Sequence, residues 1–86
     1  MTDAWISMGE KNVLKKKKLF KKYQVNESIM KQAKKHTIFM HCLPAHRNEE
    51  VTDSVIDGKK SVVWLQAKNR LFVQQSILYY LTKNVH

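Results

Sequence analysis

The chain has 86 residues, enough for one small domain but not two, and 43% hydrophobic content with only two glycines and one proline, which argues against a disordered linker. Its single cysteine excludes an internal disulfide framework, and no apolar run approaches the roughly 18 residues that span a bilayer. The net charge of +9 points first to nucleic acid or an anionic surface, but residues 11–35 hold ten lysines against one acid, Glu27, and the rest of the chain is neutral. With 14 lysines among 16 basic residues, the planar guanidinium fork that reads bases is nearly missing.

In chain order, residues 3–7 alternate modestly around Trp5 and Ile6 and predict a short strand, followed by a Ser7-Met8-Gly9 loop. Met1 stands almost against this segment, an abrupt start that reads as truncation. The apolar positions Val13, Leu14, Phe20 and Tyr23 predict a helix over 10–23. Its Lys15-Lys16-Lys17-Lys18 run covers every direction of a turn, so some lysine stems must lie over apolar surface. A second helix is predicted with Asn26 as N-cap, Glu27 in the first turn and Lys34-Lys35 in the last, placements that suit the helix dipole.

Residues 37–41 read as a buried strand. The chain then changes character. Its only cysteine, only proline, two of its four histidines and one of its two arginines fall within residues 41–47. In an open α/β sheet, ligands bind outside the carboxyl ends of strands, so this loop is the candidate site. Thr52 is placed to cap a single turn, 53–56, ended by Asp57-Gly58. A third strand is predicted at 61–65 and a long helix over 66–83, with Leu71, Ile77, Leu78 and Leu81 on one side. Strands alternating with helices predict an α/β fold, a partial three-layer parallel sheet with flanking helices.

Three motifs in order carry a resemblance. His41-Cys42-Leu43-Pro44 followed by Ala45-His46-Arg47 and two glutamates, Thr2-Asp3-Ala4-Trp5-Ile6-Ser7-Met8-Gly9, and Asn69-Arg70-Leu71 together resemble ornithine carbamoyltransferases. The resemblance covers about the last quarter of a family member. It implies that residues 1–86 are a single incomplete domain, the C-terminal portion of the ornithine-binding domain. The implied reaction transfers a carbamoyl group from carbamoyl phosphate to L-ornithine, with no cofactor; no metal is expected, because the spacings of His36, His41, Cys42 and His46 fit no standard zinc-ligand pattern.

The roles implied by the resemblance are as follows. Asp3 pairs with the ornithine α-amino group, and Ser7 with Met8 holds the amino acid's polar end. Cys42 binds ornithine near the amine that must lose its proton, and the Cys42 and Leu43 carbonyls receive the carbamoyl N–H. The Leu43–Pro44 bond is cis. Arg70, placed in the first turn of the last helix where the dipole disfavours it, contacts carbamoyl phosphate. His41 reads either as a site residue or as a satisfied core histidine, and His46-Arg47 either as site residues or as residues that order the loop.

The chain departs from the family pattern in several places. Asn48 stands where glycine is usual, Lys59-Lys60 replace a less charged turn, Leu65 and Lys68 take acidic places, and Phe72 takes that of a histidine. The Ser-Thr-Arg-Thr-Arg and His-Pro-Thr-Gln segments that bind carbamoyl phosphate do not occur in the sequence. The expectation is therefore a half-site, inactive alone, cytoplasmic and away from membranes. It is either a gene remnant or one half of a split enzyme whose N-terminal half is encoded separately, with the family's trimeric state as the expected oligomer. The rival expectation is a small lysine-rich nucleic-acid-binding module, which needs aromatics interleaved with the basic residues. Only Phe20 and Tyr23 lie in the basic segment.

Overall fold

The computed structural model describes residues 1–7 and 9–83. Four α-helices follow one another, α1 at Val13–Phe20, α2 at Glu27–Gln32, α3 at Asp53–Ile56 and α4 at Val63–Lys83, with a 3-10 turn at Lys21–Tyr23 after α1.

α1 starts later than the alternation of its residues predicts. Glu10 is turned away from helix geometry by its N–H bond to the Ser7 carbonyl, and Gly9 and Asn12 hold left-handed φ values of 80° and 60°. The helix begins only after these two positions. Of the four-lysine run, Lys16 and Lys17 are half-buried and Lys15 and Lys18 exposed. Lys16 pairs with Glu10 and Lys17 with Glu49, so the two inward lysines neutralise local carboxylates. α2 has the expected cap: the Asn26 side chain accepts from the Ile29 N–H at 3.0 Å. It ends at Gln32, short of Lys34-Lys35. Thr52 stands at the N-cap position of α3 without a side-chain cap bond. Gly58 closes that turn where a Cβ would lie 2.5 Å from the Ser54 carbonyl oxygen, a space no other residue fits.

The predicted strands shrink to single bridges. Thr2 bridges His41 and Phe39 bridges Ser61, both parallel, so three extended segments lie side by side without a ladder among the described residues. Trp5 and Ile6 form a bend rather than the predicted strand. The strand predicted at 61–65 is corrected: only Ser61 pairs, and helix α4 begins at Val63, with the Gln66 N–H already bonded to the Val62 carbonyl. A four-residue apolar run, Val62 to Leu65, does not by its periodicity separate a buried strand from a buried helix start.

Six buried apolar residues, Met30, Phe39, Val51, Val55, Ile56 and Val63, form the core. Beyond Val63 and the half-buried Gln66, α4 leaves this core. Leu71, Ile77, Leu78 and Leu81, expected on one side of the helix, are each more than half exposed. The molecule measures 53 × 38 × 17 Å with a radius of gyration of 16.7 Å, against about 12 Å for a compact chain of this length. No helix among the described residues is long and apolar enough to cross a membrane.

Candidate functional site

The site is built where the segment at 39–41 ends. His41 is 1% exposed, and three bonds hold it. Its backbone N–H donates to Gln66 Oε1 of α4 at 3.0 Å, its Nε2 lies 2.9 Å from Glu50 Oε1, and its Nδ1 accepts the Leu43 N–H at 2.8 Å. Glu50 is fully buried. Its Oε1 also accepts the His46 N–H at 2.8 Å, and its Oε2 has no hydrogen-bond partner. Removing one member of such a buried pair typically costs about 3–5 kcal/mol.

The turn that follows is tightly specified. The Leu43–Pro44 peptide is cis, as the resemblance implies, and Leu43 has φ 58°. A left-handed leucine costs on the order of 1–3 kcal/mol, so its surroundings must hold it there. Asn48, in glycine's usual place, has φ 67°, and asparagine is among the few side chains that adopt this conformation readily. Its N–H donates to the Val51 carbonyl at 2.7 Å. Arg47 orders the loop, reaching both Asp53 and Asp57 of the α3 region. Its guanidinium holds the Asp57 carboxyl below the usual carboxylate range.

Cys42 and Asp3 meet. The thiol donates to Asp3 Oδ1 at 3.3 Å, and the Ala4 N–H donates to the same oxygen at 2.7 Å. The Ala4 amide and then the Cys42 thiol hold the Asp3 carboxyl below its ordinary value. The carboxylate in turn pushes the thiol up, with burial adding to the shift and the Arg70 charge opposing it. A thiol so placed is a donor at neutral pH, and the acceptor beside it is Asp3.

Two clefts flank this turn, and Leu43 lines both. One is bordered by Asp3, Ser7, Leu43, Pro44, His46 and Glu49. The other is bordered by His41, Cys42, Leu43, Gln66, Asn69 and Arg70. The structure thus brings Asp3, Ser7, Cys42, Leu43 and Arg70 around one turn. Met8 lies outside the described residues. Arg70 is corrected in one respect: with α4 beginning at Val63 it sits in the second turn, and the dipole argument for its use falls. Gln66 and Glu50 escaped sequence reasoning, because a glutamine at a predicted helix start and one of two adjacent glutamates carry no local signal.

Two groups have the donor types for a metal ion. Ligand atoms of Asp3, His41 and Cys42, and of His46, Glu49 and Glu50, lie within 4.8 Å of one another in each group. Several of these donors are already engaged: His41 by Leu43 and Glu50, Cys42 by Asp3, and Glu49 by Lys17.

A domain whose chemistry gathers on a His-Cys-Leu-Pro turn beside an aspartate is of the carbamoyltransferase class. The family model described as aspartate/ornithine carbamoyltransferase, Asp/Orn binding domain, matches residues 1–81, and the chain belongs to this family. Curated relatives include an ornithine carbamoyltransferase of Pyrobaculum aerophilum, 54% identical over 83 residues, 95% of this chain and 27% of the relative. One from Rhodopseudomonas palustris is 58% identical over 78 residues, 91% of this chain and 25% of the relative. Among solved structures, ornithine carbamoyltransferase from Pyrococcus furiosus superposes with TM-score 0.80 at 55% identity, over 88% of this chain and 25% of that one. Ornithine transcarbamoylase from Giardia lamblia superposes with TM-score 0.84 at 37% identity, over 98% and 26%. The chain therefore spans about a quarter of the length of these relatives. The relatives give no support to the nucleic-acid alternative.

Proposed function

We propose that this chain supplies the amino-acid side of an ornithine carbamoyltransferase site, in which carbamoyl phosphate and L-ornithine give L-citrulline and phosphate. The observation that carries the reading is the Cys42–Asp3 contact, with Cys42 lining one cleft together with Arg70 and Asp3 lining the other. In this reading the Asp3 carboxylate pairs with the α-ammonium group, and Ser7 and Met8 hold the polar end of the amino acid. The unprotonated side-chain amine, near Cys42, attacks the carbonyl carbon. The new C–N bond forms as the C–O bond to phosphate breaks, phosphate leaves with the electron pair, and the proton lost by the amine passes to the departing phosphate. The Cys42 and Leu43 carbonyls accept the carbamoyl N–H, and Arg70 neutralises charge on the leaving group. No cofactor enters these steps.

Residues 1–86 are read as an incomplete ornithine-binding domain, with the three extended segments belonging to a wider parallel sheet. Carbamoyl phosphate is then bound outside residues 1–86, by an N-terminal domain, within a cytoplasmic oligomer serving arginine metabolism. The projecting helix α4, with Leu71, Phe72, Ile77 and Leu78 exposed, fits this arrangement. The test is a citrulline assay. The 86-residue chain alone is expected to form none, and a carbamoyl-phosphate domain from a relative is expected to restore turnover that Cys42→Ala abolishes. Turnover by the chain alone, or restored turnover indifferent to Cys42→Ala, would refute the assignment.

A further inference from the structure

The Leu43 conformation needs a cause. An amide N–H can only donate, so His41 Nδ1, 2.8 Å from the Leu43 nitrogen, must carry its lone pair. The ring proton then sits on Nε2 and points at Glu50 Oε1, 2.9 Å away. The ring is itself fixed: Gln66 holds the His41 backbone, and the His46 N–H holds Glu50 Oε1. The ring thus offers a rigid acceptor to a residue whose φ of 58° leucine rarely adopts.

We infer that His41, as a neutral imidazole protonated on Nε2, is the positioning residue that holds Leu43 left-handed and so fixes the direction of the Cys42 and Leu43 carbonyls. Its consequence for catalysis rests on the function proposed above. The role itself does not, because it concerns the turn before any ligand arrives. A residue of purely structural value would act through packing and through neutralising Glu50, and the two nitrogens separate these cases. Asparagine sets a carbonyl oxygen near the place of Nδ1 and has nothing at Nε2. Glutamine sets an amide N–H near Nε2 and has no acceptor near Nδ1.

The experiment is nuclear magnetic resonance on the 86-residue chain. In the unsubstituted protein, the ring nitrogens are expected to report the Nε2–H tautomer, with a direct nitrogen–nitrogen coupling across the Leu43 N–H···Nδ1 bond. His41→Asn is expected to keep the left-handed Leu43 coupling constant. His41→Gln is expected to lose it, with Leu43 amide exchange faster by about tenfold, the scale of one lost hydrogen bond. An Nδ1–H tautomer, a missing nitrogen–nitrogen coupling, or Leu43 better held in His41→Gln than in His41→Asn would overturn the role. The coupling in the unsubstituted chain decides even where both variants fail to fold. A titration with L-ornithine then separates the two proposals: no response with the coupling present counts against the function and leaves the positioning role standing.

Discussion

The Cys42 thiol and the Asp3 carboxylate set each other's ionisation. Asp3 is exposed yet held below its ordinary value, by the Ala4 amide first and the thiol second. The thiol moves the other way because ionising it would lose the hydrogen bond it donates to Asp3, and would leave a partly buried charge 3.3 Å from another of the same sign. A folded thiol value above the unfolded one means that this contact favours the fold while the thiol is protonated. That contribution is present in full below the ordinary thiol value and is lost as pH rises through the raised one. Alkylation of Cys42 by iodoacetamide is therefore expected to show a midpoint above that of an ordinary cysteine, moving down in Asp3→Asn. An unchanged midpoint in that variant would break the electrostatic link between the two residues.

At the scale of elements, the helices differ in what fixes them. α2 is six residues long, too short to form on its own propensity, and its start is set by one side-chain bond from Asn26. Asn26→Ala is expected to cost about 1 kcal/mol, read as a lower urea midpoint with the slope unchanged. A loss near zero would show that packing of Met30, and not the cap, places the helix. α3 is shorter still and is held from outside, by Arg47 on Asp53 and Asp57. α4 is anchored at its first turn by buried Val63 and by Gln66 on His41. Arg70 follows Gln66 by four residues and so lies on the same face of the helix. That spacing places it beside Cys42 more directly than any dipole effect.

At the scale of the whole molecule, six buried apolar residues support a body 17 Å thin from which a 21-residue helix projects. Trp64, Leu65, Phe72, Tyr79 and Tyr80 of that helix are each half exposed or more, a larger apolar surface than isolated soluble chains usually present. Ordering each residue costs on the order of 1–2 kcal/mol in chain entropy, which so small a core offsets poorly. The isolated chain is expected to be marginally stable and to self-associate with concentration in sedimentation runs. A monomer with global hydrogen-exchange protection above about 5 kcal/mol, the low end for native domains, would show a self-sufficient fold and count against the incomplete-domain reading.

What the sequence by itself determined was local. The Asn26 cap rests on a side-chain bond three residues on, and the Asp57-Gly58 stop on backbone bonds back to Asp53 and Val55, and such signals survive without a fold. The His-Cys-Leu-Pro motif and the two stretches that agree with it also pointed to the family whose model matches residues 1–81. The tertiary structure decided the rest. Whether residues 61–65 became strand or helix depended on the pairing of Phe39 with Ser61 ending after one bridge. The dual reading of His41 was decided by Leu43, Glu50 and Gln66, two, nine and 25 residues away. Asn48 carried its explanation in a single backbone angle that composition does not reveal. Long-range hydrogen bonds and burial are properties of the folded chain, so no window of sequence contains them.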